Sequence, residues 1–163
     1  MAEKDERVKM PLVASERGML TGALDFQRAT LLHKVNGVSE EKARVAVMPP
    51  STLSLLALVK HLGYVERWWF QSVFEGKGEE VEYVEDEFVL EPGDTLEGAI
   101  RFYNEETEKS RRITAAASLD DIARLGGFER NLRWILVHMI EETARHNGHA
   151  DFLREAIDGV TGQ

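Results

Sequence analysis

Between Pro49-Pro50 and Gly76 the chain reads STLSLLALVKHLGYVERWWFQSVFEG, in which Leu55, Leu58, Leu62, Val65 and Trp69 recur at alternating steps of three and four residues. That is the spacing of one face of an α-helix, not the two-residue alternation of a half-buried strand. A helix with one apolar face must bury it against another element. Ser51 is placed to cap its start, and Gly76 with Gly78 closes it. No segment of the chain shows strong two-residue alternation, so the elements available to cover this face are other helices.

The rest of the chain supplies them. Ser15 caps ERGMLTGALDFQRATLLHKV, which runs to Asn36-Gly37 with Leu20, Leu24, Phe26, Leu31 and Leu32 as apolar positions. A short piece, SEEKARVA, opens at Ser39 with Glu40 and Glu41 in its first turn and stops at Pro49-Pro50. Residues 77–94 are acidic and mixed and contain the turn Pro92-Gly93, which reads as a long surface crossover rather than a sheet. Asp94 with Glu97 has the spacing of a capping box for TLEGAIRFYNEETEKSRRITAAAS. The last segment comes after Gly126-Gly127, extending from about Phe128 to Asp158 with Gly159 as its stop. The expectation is one all-α domain over residues 1–163. It is an antiparallel four-helix bundle with a long crossover between the second and third of its long helices.

At 163 residues the chain can bury one continuous core, and its net charge of -9 with no basic run beyond Arg111-Arg112 argues against nucleic acid or an anionic membrane as a partner. It contains no cysteine, which removes disulfides, thiolate metal sites and a cysteine nucleophile. Any thiol chemistry must come from a ligand. The charged start MAEKDERVKM has no apolar targeting core and no run reaches bilayer length, so a cytoplasmic location is expected.

The last helical segment contains HMIEETARHNGH, residues 138–149, between flanks that read as core. On a helical wheel His146 falls within the apolar stripe of Leu132, Ile135, Met139, Leu153 and Ile157. His138, Glu142 and His149 lie on the same side, and Glu141, Asp151 and Glu155 point to solvent. Placing a carboxylate and an imidazole in a core costs several kcal/mol unless each is paired or binds an ion. A carboxylate and a histidine four residues apart stack one turn apart and can grip one cation, although a buried Glu-His hydrogen bond without metal is the plain alternative. His61, bordering the apolar stripe of Leu55, Leu58 and Leu62, adds a second imidazole. Two histidines and one carboxylate suit Zn²⁺ or another first-row divalent ion with positions open to water or substrate. The chain has neither a His-Glu-x-x-His motif nor the Glu-x-x-His repeats of di-iron bundles. His33 reads as structural or exposed, and Trp68, Trp69 and Phe70 as packing residues.

With DFQRATLL, LVKHLGYVERWWF and LRWILVHMIEETARHNGHADFLREAIDG, the chain resembles DinB-like proteins. Their superfamily includes mycothiol-dependent maleylpyruvate isomerases and bacterial thiol S-transferases, and the likeness is greatest to an actinobacterial branch of unknown function. The resemblance implies His61, Glu142 and His146 as metal ligands. Glu142 stands where the commonest DinB pattern has histidine, as in the mycothiol-dependent branch. His149 stands where many relatives have glutamine and is expected beside the ligands, with His138 as a structural hydrogen-bonder.

The function that this resemblance implies is that of a metal-dependent thiol S-transferase or isomerase. Its ion would be zinc, or else nickel, iron or manganese. Mycothiol or a similar thiol would be co-substrate, and an electrophile the second substrate. Arg145 and His149 are the candidate catalytic groups, the first for an anionic substrate and the second for a proton. A homodimer is among the states the resemblance allows. A non-catalytic metal-binding or stress-associated ligand-binding protein is the alternative, and a metal-free bundle with polar register residues is a third.

Overall fold

The structure is a computed structural model, and it describes residues 7–78, 88–127 and 129–161. The chain forms α1 (Glu16–Val35), the short α2 (Glu40–Arg44), α3 (Leu55–Arg67), α4 (Leu96–Ala116) and α5 (Leu132–Asp158). Among the described residues there are thus five α-helices rather than the expected four, because the short SEEKARVA piece closes a helical turn of its own. α3 runs without a break into a π-helical stretch, Trp68–Phe74. Among the described residues there is no β-sheet, only an isolated bridge between Ile122 and Asn131. None of their helices is long and apolar enough to cross a membrane.

Local chemistry sets the helix starts. Ser15, Ser39, Ser54, Thr95 and Asn131 each accept a backbone N–H of the first turn on their side chain. Three of these correct the sequence reading. Ser54 caps α3, while Ser51 spends its hydroxyl on the N–H of Leu53. Thr95 caps α4, while Asp94 is drawn away by Lys60 at 2.7 Å. α5 begins at Leu132, and Phe128, the expected start, lies outside the described residues, as do residues 79–87 of the expected crossover. Gly159 stops α5 as expected, with φ of 76° and its N–H on the carbonyl of Glu155.

α1 packs along α5, α3 along α4, and α3 also meets α5. The core divides into two apolar clusters. One holds Leu31, Leu58, Leu62, Tyr103 and Leu153, the other Leu24, Val65, Phe70, Ile135 and Met139. Along α1, α4 and α5 a buried polar level separates them, with Arg28, then Glu106 and Thr107, then Thr143, His146 and Asn147; Glu66 joins it from α3. The arginine and glutamates of that level are paired. Arg28 clamps Glu66 with two bonds of 2.7 Å, and Glu106 receives Arg67 at 3.0 Å and Lys109 at 2.7 Å.

Candidate metal centre

His61 reaches the α5 seam because its neighbours Leu58 and Leu62 are fully buried and fix the roll of α3. Its own exposure is 8 %, equal to that of His146. On α5, Glu142 and His146 lie one turn apart, as their spacing requires. His146 Nε2 is 3.0 Å from Glu142 Oε1, and His61 Nε2 is 3.6 Å from the same oxygen. One ligand atom from each of the three lies within 4.8 Å of the others. Two donors bound to one first-row ion at the usual distances are roughly 3 to 4 Å apart, so an ion fits with side-chain adjustment alone. The three side chains that the sequence singled out are brought together.

The hydrogen bond with His146, then the nearby His61 imidazole, whose Nε2 is too far for a hydrogen bond, holds the Glu142 carboxyl well below the usual carboxylate range, against the opposing effect of burial. Glu142 is therefore an ionised acceptor at neutral pH, and the Nε2–H of His146 donates to it. At the other nitrogen of that ring, His149 Nδ1 stands 3.3 Å from His146 Nδ1. Burial, then the neighbouring His146 and Arg145, lowers the His149 pKa below its ordinary 6.5. Arg145, more than half exposed, donates to Glu142 Oε2 at 3.2 Å and pairs with Glu141. The Arg145 and His149 of the sequence reading thus both touch the triad from its solvent side.

Other expectations meet a different outcome. Among the described residues the His138 side chain makes no hydrogen bond: its ring stacks on Trp134 at 5.1 Å and meets Trp69 edge-on at 4.6 Å. Its Nδ1 is 3.7 Å from Glu141, too far for a hydrogen bond. Asp151, expected in solvent, keeps its side chain 43 % exposed and also pairs with the buried Lys34 at 2.5 Å. His33 is exposed, and Phe70 is buried with Trp68 and Trp69 packed beside it, as the sequence suggested.

Phe88 is the neighbour that sequence reasoning missed. Its ring stacks on His61 with centroids 4.2 Å apart and an interplanar angle of 24°. A single aromatic in the acidic stretch EDEFVLEPGD has no periodic partner to mark it.

A helical bundle with two imidazoles and a carboxylate converging where α3 meets α5 defines a DinB-like protein with a candidate metal centre. The chain matches the family model described as Mycothiol-S-transferase over residues 19–159, and it belongs to that family. No curated protein matches the chain.

Proposed function

We propose that the protein is a divalent-metal-dependent transferase, or an isomerase of the same chemistry, that acts through the sulfur of a low-molecular-weight thiol. The observation that carries this reading is the convergence of His61, Glu142 and His146 in a chain of the mycothiol-S-transferase family. Mycothiol or a similar thiol is the co-substrate in this reading, and an electrophilic small molecule is the acceptor. Two imidazoles and one carboxylate suit zinc first, then nickel, iron or manganese. An ion bound there supplies the positive charge that keeps a thiol ionised at neutral pH.

The chain's own groups have separable tasks. Glu142, His61 and His146 hold the ion. To offer its Nε2 lone pair, His146 must carry its proton on Nδ1, where the Nδ1 of His149 can accept it. His149 thereby fixes the ring of His146; to take a proton from the thiol it must break this contact and turn outward, which its exposed position permits. Arg145 is the cation within reach of an anionic acceptor. The absence of cysteine leaves no protein thiol to compete for the ion or the electrophile.

Elemental analysis of protein purified without a chelating tag is expected to find about one divalent ion per chain. With mycothiol and a chlorodinitrobenzene, the carbon–sulfur bond forms as chloride leaves, and the product is followed by absorbance. Glu142→Ala is expected to slow conjugation about 100-fold or more, and a chelator to abolish it. Conjugation by the parent protein no faster than by Glu142→Ala would remove the transferase reading. A bound ion without conjugation would leave a metal-binding protein.

A further inference from the structure

We infer that Phe88 is a positioning residue of the metal centre, fastened from α3 so that its ring holds the His61 imidazole in the ligating orientation and closes that side of the centre to water. The inference rests on the metal-centre reading, and it concerns a residue that the reading does not use.

Phe88 is 39 % exposed and Val89 beside it 49 % exposed, while Leu90 packs against the core and anchors the turn from one side. Polar groups fasten the rest of it. Lys60 Nζ donates to the carbonyl of Val89 at 3.0 Å and to Asp94 Oδ2 at 2.7 Å. Asp94 Oδ2 also accepts the backbone N–H of Glu91 at 2.8 Å, which closes the turn on itself. From α2, Arg44 donates to the carbonyl of Asp94. Burial opposes ionisation of Asp94, but the bonds from Lys60 and the Glu91 N–H outweigh it and hold the carboxyl below its ordinary range.

Lys60 immediately precedes His61. The turn of α3 that presents the ligand therefore also grips the chain that carries Phe88. The Phe88 ring lies at stacking distance over His61 and 6.2 Å from His146. His61 thus has a ring stacked on it while its Nε2 stands 3.6 Å from Glu142 Oε1. A monodentate imidazole ligand must aim one nitrogen at the ion, and rotation of the ring by a few tens of degrees loses that aim. Hydrogen-bonding partners that orient a metal ligand typically contribute 10- to 100-fold to metal affinity, and a stacked ring that restrains the same rotation without a hydrogen bond is expected at the low end of that range.

The test uses the full chain and two readouts. Zinc affinity is measured by competition with a chromogenic chelator, and the ring protons of His61 are followed by NMR in the metal-free protein. Phe88→Ala is expected to weaken zinc binding by about tenfold and to move the His61 ring resonances downfield as the neighbouring ring current is lost. Phe88→Tyr keeps the ring and should restore both. Lys60→Gln, which touches neither His61 nor the ion, should give a smaller loss in the same direction. Phe88→Ala with zinc affinity within twofold of the parent protein, or with unmoved His61 resonances, would overturn the assignment. Should the parent protein bind no zinc, the metal reading falls, and the resonances alone decide whether Phe88 holds the ring.

Discussion

One turn before Glu142, His138 shows how the same helix handles an imidazole outside the candidate centre, packed between tryptophan rings. Burial lowers its pKa below the ordinary 6.5, the positive charges of Arg145 and Arg130 add to this, and Glu142 opposes it. A histidine with a depressed folded-state pKa stabilises the fold above its unfolded value. That contribution fades as pH falls, because the unfolded chain takes up the proton first. His138→Phe keeps the stack on Trp134 and removes the titration. Its urea midpoint is therefore expected to fall less than that of the parent protein between about pH 7 and pH 5, and an equal fall would contradict the account. Residues of this kind differ in how far a sequence reveals them. His61, Glu142 and His146 were legible because helical spacing places them among apolar neighbours, where a charge needs a partner. The pairing of the solvent-facing Asp151 with Lys34 was hidden because Lys34 comes from α1, and a wheel drawn for one helix cannot show a neighbour on another. Phe88 lay in an aperiodic stretch where no pattern applied.

At the scale of the element, the five capped helices arise from local spacing, but their ends depend on what lies beside them. α5 opens at Leu132 because the preceding loop folds back onto its free first turn. The N–H of Leu132 reaches the carbonyl of Asp121, and that of Arg133 reaches the carbonyl of Leu119, each at 3.0 Å. The π-helical stretch was equally hidden, since a run such as WWFQSVF carries no sign of a wider turn. Its last carbonyls, of Val73 and Phe74, accept from Leu125 and Arg124 at 3.0 and 3.1 Å and so dock the same loop. Gly63 tests the packing of α3 on α4. A Cβ at this position would lie 2.6 Å from two ring carbons of Phe102 and 3.5 Å from the Cα of Tyr103, so the ring would have to move. Overpacking of this kind costs about 1–3 kcal/mol, and replacing a mid-helix glycine returns up to about 1 kcal/mol. Gly63→Ala is expected to lower stability by about 1–2 kcal/mol in urea denaturation with an unchanged slope. A stabilised variant would mean that Phe102 moves aside freely.

For the whole molecule, the buried polar level between the two apolar clusters both ties the helices together and includes His146 of the candidate metal centre, with Thr143 next to Glu142. α1 contributes no candidate ligand, yet it is bound to α3 through Arg28 and Glu66 and to α5 through Asn147, which donates to Gln27 at 2.9 Å. The side chains of Arg28 and Glu66 are 5 % and 1 % exposed, so neither charge can turn to water if the other is lost. Breaking such a pair by removing one partner costs about 3–5 kcal/mol, whereas replacing both with apolar groups of similar volume is often neutral. Arg28→Met should therefore lower the urea-derived stability by about 3–5 kcal/mol, and Arg28→Met with Glu66→Leu should recover most of it. The candidate ligands lie on α3 and α5, so the gain in melting temperature on adding zinc to the chelator-treated double variant should match that of the parent protein. A double variant as unstable as Arg28→Met alone would show that the pair does more than neutralise its own charges. A double variant that is stable but gains nothing from zinc would place the pair in the support of the metal centre.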